Sequence, residues 1–124
     1  MIISEQEFQI EFYRKLYLLE SKPDYVVGPA RSGAIAAVYA SHYLGVPFVP
    51  YKSKIDGKIP LIVDTACQSG RTLRKASRYY DGAPTLFVYK EPPRVRFWYE
   101  VISMQRGIGF EYPNSSRAKS IKSS

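Results

Sequence analysis

The sequence predicts an α/β fold, in which short buried strands alternate with helices. The apolar run 61–63 is too short for a helix and lacks polar alternation, so it suits a strand covered on both faces. This run and a similar run at 25–27 are each followed by a glycine-containing loop and then by a helical pattern. With 124 residues, 45% of them apolar, the chain fits one compact domain with a real core.

The first element is an amphipathic helix, expected over residues 4–20. Ser4 and Glu7 have the spacing of a capping box. Four apolar residues recur at helical spacing and predict its buried face: Phe8, Phe12, Leu16 and Leu19. The run Lys-Pro-Asp at 22–24 ends the helix, and a strand is expected over 25–27.

A strand–loop–helix unit follows. Residues 28–33 form the expected loop, and the alanine-rich segment 34–43 forms a helix that ends at Gly45. The next strand is expected at 48–51, before a polar hairpin at 52–58 with an Asp-Gly turn.

The second half of the chain continues the alternation. Residues 73–80 predict a helix, 85–89 a strand, and the alternating segment 94–100 a further strand. Residues 101–112 are irregular, and 113–124 are polar and basic without apolar periodicity. We therefore expect a domain over 1–112 and a mobile basic tail over 113–124.

Charge and composition limit the possible classes of function. The net charge of +7 indicates an anionic partner, which leaves phosphorylated small molecules and nucleic acid open. No apolar run reaches the ~18 residues needed to cross a bilayer. A single cysteine, Cys67, excludes an internal disulfide and suits a reducing cytoplasm. Acids near the N-terminus argue against a signal peptide.

Residues 60–73, PLIVDTACQSGRTL, combine a strand, an acid and a polar turn before a helix. Asp64 is expected at the end of the strand, residues 65–71 in the loop, and Thr72 at the helix start. Such a loop directs backbone N–H groups and hydroxyls toward one point beside a positive helix terminus, which is a geometry that binds phosphate. The spacing is not that of a Walker A loop.

This motif resembles the 5-phosphoribosyl-1-pyrophosphate (PRPP) motif of type I phosphoribosyltransferases. Asp64 matches the first acid of that motif, and Ser69, Gly70 and Thr72 match its phosphate-holding end, while Thr65 stands where a second acid is usual. The loop at 28–33 resembles the pyrophosphate loop of the same family, with Arg31 in the place of its arginine. The resemblance extends over residues 23–102 and implies a mainly parallel sheet flanked by helices, in a single domain.

A second part of the resemblance concerns the family members that act on 6-oxopurines. Lys90 follows a strand and precedes prolines, as does the relatives' lysine that donates to the purine 6-oxygen. The segment 94–100 resembles their Phe-Pro-Trp-Glu segment, and Arg94 stands where the relatives carry a stacking aromatic residue. The implied base-binding residues are Lys90, Phe97, Trp98, Tyr99 and Glu100.

The implied reaction transfers ribose 5-phosphate from PRPP to a purine-like base and releases pyrophosphate, with Mg²⁺ as cofactor. The implied catalytic residues are Asp64, Thr65, Gln68 and Arg31, and Asp64 is also the implied metal contact. The implied PRPP-binding residues are Ala30, Arg31, Ser32, Gly33, Asp64, Ala66, Cys67, Gln68, Ser69, Gly70, Arg71 and Thr72. Gln68 stands where purine relatives often carry an acid, and glutamine cannot act as a general base.

Two other readings remain open. The first is a catalytically weak or inactive member of this fold that senses nucleotides or binds RNA; the basic charge and the missing acids favour it, while Asp64 and Lys90 do not. The second is a flavodoxin-like domain unrelated to PRPP. For the leading hypothesis we expect PRPP, a nucleobase or nucleotide, and pyrophosphate as partners. We also expect a homo-dimer or tetramer in the cytoplasm, with nucleic acid less favoured as a partner and no membrane association.

Overall fold

The computed structural model describes residues 2–67, 69–90 and 96–100. These residues fall into two compact units. The larger one contains 6–67 and 69–90, and the smaller one contains 2–5 and 96–100. The larger unit carries the central motif and both predicted phosphate loops.

The elements follow one another as an alternation of strands and helices. In chain order they are β1 (Ile2–Ile3), α1 (Glu5–Tyr17), β2 (Tyr25–Val27), α2 (Ala30–Leu44), β3 (Pro60–Cys67), α3 (Arg71–Tyr79), β4 (Thr85–Lys90) and β5 (Arg96–Phe97). None of the helices in the described residues is long and apolar enough to cross a membrane.

The sheet of the larger unit is parallel, with strand order β2-β3-β4. Val26 pairs with Leu61, and Val63 pairs with Leu86. All three residues of β2 and the first six of β3 are buried, as expected for strands covered on both faces. The predicted α/β fold with a mainly parallel sheet is confirmed.

One hydrophobic cluster fixes α3 against the sheet. Its members are buried residues of β2, β3, α3 and the turn after α3: Tyr25, Val27, Ile62, Leu73, Ala76, Tyr80 and Ala83. The first predicted helix is also present as α1, with Phe8, Phe12 and Leu16 buried. It ends at Tyr17, so Leu19 lies beyond it. The loop between β3 and α3 therefore leads into a helix that is packed against the sheet.

Three boundaries around the loops differ from the sequence prediction. Helix α2 begins at Ala30 instead of residue 34: Pro29 is its N-cap in an extended conformation (φ −73°, ψ 146°), and the Pro29 carbonyl accepts the Gly33 N–H at 2.9 Å. Strand β3 continues to Cys67, because β4 supplies a partner as far as the Cys67–Lys90 pair. Helix α3 begins at Arg71. The two loops are consequently shorter than predicted, and Asp64 lies within β3 rather than at its end.

Two predicted strands are shorter in the structure than the sequence predicted, and the first of them is followed by the predicted hairpin. The strand expected at 48–51 is a single parallel bridge between Phe48 and Val26, because Pro47 and Pro50 have no N–H group for a ladder. The hairpin expected at 52–58 is a turn closed by the Lys58 N–H on the Ile55 carbonyl, 3.1 Å away.

The smaller unit shows the other shortened strand. Residues 94–100 were predicted as a strand, but only Arg96–Phe97 is one, paired in parallel with β1. Residues 98–100 form a helical turn, in which the Glu100 carboxylate accepts the Phe97 N–H at 2.8 Å. Arg94 and the predicted tail at 113–124 lie outside the described residues.

Candidate phosphate-binding site

Two strand-to-helix loops meet at one edge of the parallel sheet. β2 and β3 are parallel neighbours, so α2 and α3 both begin at their carboxyl edge. This is the edge at which open α/β sheets bind ligands. A hydrogen bond joins the start of α2 to β3: the Ser32 hydroxyl, in the first turn of α2, donates to Asp64 Oδ1 on β3 at 2.9 Å.

Asp64 is the acidic centre of this edge. It is 8% exposed, and its Oδ1 also accepts the backbone N–H of Thr65 at 2.7 Å. Two donors on one oxygen hold the carboxyl group in a fixed orientation. Thr65, the neighbour on the strand, is only 2% exposed and does not line the recess described next.

A recess of about 280 Å³ opens beside Asp64. Polar atoms dominate its surface, which suits a strongly hydrated or anionic ligand. The residues that line it are Ser32, Asp64, Ala66, Cys67, Ser69, Gly70, Arg71, Thr72 and Leu73. Eight of these nine belong to the predicted PRPP-binding set; the exception is Leu73, which the sequence interpretation placed at the start of the next helix.

The turn at 69–70 places the start of α3 at the recess. Gly70 has φ +82°, a conformation that favours glycine, and no side chain caps the helix there. Ser69 Oγ accepts the Arg71 N–H at 3.3 Å. The first turn of α3 contains no acid, so no side chain of that turn offsets the positive end of the helix dipole beside the recess.

The loop after β2 is held by a close backbone approach. A side chain at Gly33 would lie 2.5 Å from the Gly28 carbonyl carbon, and one at Gly28 would overlap the Gly33 carbonyl group. Both positions therefore require glycine. Ala30, between them, has φ +57°. Arg31 is exposed in the first turn of α2 and is not among the lining residues of the recess.

The remaining predicted site residues lie elsewhere. Lys90 is exposed at the last position of β4, opposite Cys67. Phe97, Trp98, Tyr99 and Glu100 belong to the smaller unit, where the Phe97 and Tyr99 rings stack with centroids 5.5 Å apart. Gln68 lies outside the described residues. The catalytic and base-binding roles of these residues stay predictions.

The sequence interpretation did not identify two features of the site. The bond from Ser32 to Asp64 joins residues 32 positions apart, and local pattern does not reveal it. Arg74 donates to the Ser69 carbonyl at 3.2 Å and so braces the turn from within α3. The sequence signal for this contact was the position of Arg74 four residues after Gly70, which is about one helical turn.

The donor set limits how a metal ion can bind. Among the described residues, no three His, Cys, Asp or Glu side chains are grouped for a metal. Asp64 is the carboxylate at the recess, and Mg²⁺ typically uses one or two carboxylates together with substrate phosphates. The residues thus fit an Mg²⁺ ion shared with a bound phosphate ligand and not one held by a protein cage.

Comparisons with solved structures identify the fold. The chain superposes on a xanthine-guanine-hypoxanthine phosphoribosyltransferase from Helicobacter pylori with a TM-score of 0.67 at 14% identity, over 85% of this chain and 95% of the other. It also superposes on a purine phosphoribosyltransferase from Pyrococcus horikoshii with a TM-score of 0.57 at 22% identity, over 77% and 85%. The resemblance noted in the sequence is confirmed for the fold, which is that of the purine phosphoribosyltransferases.

A third solved structure adds a ligand to the comparison. A hypothetical protein from Neisseria gonorrhoeae with bound ppGpp matches with a TM-score of 0.53 at 14% identity, over 78% of this chain and 80% of the other. No family model matches the sequence, and no curated protein matches it either.

Proposed function

We propose that this protein transfers ribose 5-phosphate from PRPP to a purine-like nucleobase and releases pyrophosphate. The observation that carries the proposal is the polar recess at the carboxyl edge, in which the start of α3 and the Asp64 carboxylate face one space of about 280 Å³. Phosphate favours the helix start, and ribose hydroxyls favour the carboxylate. A sugar phosphate presents both groups.

The residues of the recess have distinct roles in this proposal. Backbone N–H groups and hydroxyls of Ser69, Gly70 and Thr72 hold the 5-phosphate. Asp64, oriented by Ser32, accepts hydrogen bonds from the ribose hydroxyls and stabilises positive charge on the sugar. The bond from the anomeric carbon to pyrophosphate breaks, a bond to a base nitrogen forms, and that nitrogen loses its proton.

The other ends of the substrates are assigned by resemblance. Arg31 neutralises the departing pyrophosphate, and Lys90 donates to an oxo group of the base. Mg²⁺, when bound, supplies further neutralisation of the phosphates, and Asp64 is the residue that would contact it. Trp98 or another aromatic residue of 97–99 stacks on the base. We expect a cytoplasmic dimer or tetramer, which light scattering after size exclusion measures.

A second candidate function is a nucleotide-sensing regulator with this fold. Asp64 is the single carboxylate among the described residues that line the recess, and threonine occupies position 65, where a second acid is usual in the family that the motif resembles. With fewer charges to stabilise a ribosyl cation, ligand binding without turnover becomes the simpler use of the site. The structural neighbour with bound ppGpp supports this alternative.

Turnover with PRPP, Mg²⁺ and a panel of bases tests the proposal. The panel contains guanine, hypoxanthine, xanthine, adenine and uracil, and pyrophosphate release is measured. We expect turnover with a 6-oxopurine, and a loss of about 100-fold or more in kcat/KM for Asp64→Asn because the carboxylate charge is removed.

Asp81→Asn is the matched control, since Asp81 is exposed in the turn before β4, at the opposite edge of the sheet. It should retain the activity. Saturable PRPP binding without turnover for any base would support the regulator. Absence of both binding and turnover would refute the use of this recess for PRPP.

A further inference from the structure

We propose that the exposed face of α3, together with residues 52–58, binds single-stranded nucleic acid. We call this surface the basic ridge; its residues are Lys52, Lys54, Lys58, Arg71, Arg74, Lys75, Arg78 and Tyr79. The inference does not depend on the proposed transfer reaction, because most of the ridge lies outside the recess.

Charge is concentrated on the ridge. Residues 52–58 and 71–81 contain seven of the chain's 18 lysines and arginines but only two of its 11 acids, so they carry +5 of the net +7. All seven of these cationic residues are exposed. A surface of one sign at this density attracts a polyanion and accelerates its association.

The cations form rows along α3. Arg71, Lys75 and Tyr79 are four residues apart, so they follow one another on the helix surface, and Arg74 and Arg78 form the adjacent row. From Arg71 to Tyr79 the helix rises about 12 Å, which is the axial length of about three to four nucleotides in a stacked strand. One chain of phosphates can therefore follow the helix.

Tyr79 and Tyr80 hold Lys52 and Lys54 beside the end of this row. The Tyr79 hydroxyl donates to the Lys52 carbonyl at 2.9 Å. The Tyr80 hydroxyl accepts the Lys52 N–H at 2.6 Å and donates to the Ser53 carbonyl at 2.9 Å. The Lys54 ammonium lies 4.7 Å and the Lys52 ammonium 5.8 Å from the centre of the Tyr79 ring. Both lysines are thereby fixed beside the helix.

The chemistry of the ridge favours an unpaired nucleic acid over other polyanions. Tyr79 is 40% exposed, and an aromatic ring among cations suits the stacking of unpaired bases, which a duplex does not present. The exposed side chains of α3 include no aliphatic residue, and within 52–58 only Ile55 is an exposed aliphatic residue, which leaves little apolar surface to enter a lipid layer. An acidic polypeptide would satisfy the charges but would not use the ring.

The experiment measures fluorescence anisotropy of a labelled 12-nucleotide RNA, a DNA of the same sequence and a duplex, between 50 and 200 mM salt. We expect the single strands to bind more tightly than the duplex. Comparison of the RNA with the DNA of the same sequence shows whether the sugar contributes to affinity. The double variant Lys75→Gln/Arg78→Gln should weaken binding and reduce the slope of log affinity against log salt by about 1.4, since each phosphate contact contributes about 0.7 on a single strand.

The matched control removes the same charge from residues outside the ridge. Arg14→Gln/Lys22→Gln, both exposed and outside α3, should leave the slope unchanged. Tyr79→Leu should weaken binding about tenfold, whereas Tyr79→Phe keeps the ring, loses only the bond to the Lys52 carbonyl, and should weaken binding less than Tyr79→Leu does.

Three results would overturn the proposal. Equal effects of the two double variants would show that binding follows net charge alone. Equal or tighter binding of the duplex would remove the stacking argument. Full displacement of the RNA by an equal charge of poly-glutamate, or binding of anionic vesicles in place of RNA, would assign the ridge to another class of partner.

Discussion

Ser32 and Asp64 show how a single hydrogen bond couples the start of α2 to β3. The Ser32 hydroxyl and the Thr65 N–H both donate to Asp64 Oδ1, on a residue that is only 8% exposed. Losing a donor to a buried carboxyl group costs more than losing one to a neutral acceptor, because the desolvated charge is left with less compensation.

Ser32→Ala should therefore lower the free energy of unfolding by about 1–2 kcal/mol, after a small gain in helix propensity. Ser41→Ala is the matched control in the last turn of the same helix, where the hydroxyl donates to the neutral Val46 carbonyl. We expect a loss of about 0.5–1 kcal/mol there. Urea unfolding measures both, and a larger loss for Ser41→Ala would contradict the role given to Asp64.

Gly33 makes a different contribution, because the turn after β2 leaves no room for a side chain at this position. A methyl group there would lie 2.5 Å from the Gly28 carbonyl carbon and 2.7 Å from Pro29 Cδ. Gly33→Ala should destabilise the protein by about 2–3 kcal/mol by displacing the backbone, and should weaken PRPP binding as Ser32 moves with it.

Gly45→Ala provides the comparison for Gly33→Ala. Gly45 caps the other end of α2 with φ +70° and has open space around it. Its substitution should cost about 1–2 kcal/mol of stability through backbone strain alone and leave PRPP affinity unchanged. Calorimetric titration with PRPP, beside urea unfolding, distinguishes the two; an equal loss of affinity in both variants would show that the effect is not local.

At the scale of elements, two tyrosine hydroxyls hold the backbone near the start of residues 51–58. They belong to Tyr79, the last residue of α3, and to Tyr80, which follows it. Tyr80 is 4% exposed, and its hydroxyl bonds the backbone of Lys52 and Ser53. Burial raises the pKa of Tyr80, with the Lys52 N–H opposing the shift and nearby tyrosines adding to it. Burial also raises the pKa of Tyr89, helped by Glu7 and Glu11.

The sign of these shifts predicts alkaline sensitivity. An unfolded tyrosine ionises near pH 10, while the folded one stays neutral to higher pH, so this stabilisation is complete below about pH 10 and is lost as pH rises through the folded pKa. The slope is at most about 1.4 kcal/mol per pH unit for each tyrosine. Urea unfolding between pH 9 and 11 should show a shallower decline for Tyr80→Phe than for wild type. An unchanged slope in Tyr80→Phe would rule out its contribution.

Element boundaries mark the limit of what the sequence could predict. β2 was predicted with its observed bounds, because apolar composition and the flanking Pro23 and Gly28 act locally. The end of β3 was not, because Ala66 and Cys67 are strand residues only through their partners on β4. The run 96–100 is rich in β-forming residues, yet Glu100 accepts the Phe97 N–H and 98–100 turn helically. The first error reflects pairing with a strand distant in sequence, and the second reflects a local bond between Phe97 and Glu100 that competes with strand formation.

At the scale of the whole molecule, the fold was easier to predict than the chemistry. Alternating strands, loops and helices indicated the α/β class, and the order of the Arg31 loop, the Asp64 motif and Lys90 indicated the phosphoribosyltransferase fold. Most of the recess was also predicted, because it is built from consecutive residues around Ser69. Thr65 differs from these residues: the resemblance put it beside Asp64 among the catalytic residues, whereas it is buried and does not line the recess, so its role stays a prediction.

A ligand that binds this edge of the sheet should stabilise the protein as a whole, since the recess exists only when both loops are folded. Ribose 5-phosphate at about 100 times its Kd should raise the free energy of unfolding by about 2.7 kcal/mol. Ribose without phosphate, at the same concentration, should raise it much less, because the start of α3 then has no anion to bind. Thr72→Val removes a hydroxyl at the recess and should reduce the rise at a fixed ligand concentration. Urea unfolding with each ligand measures this, and equal stabilisation by ribose and ribose 5-phosphate would mean that phosphate is not what the recess recognises.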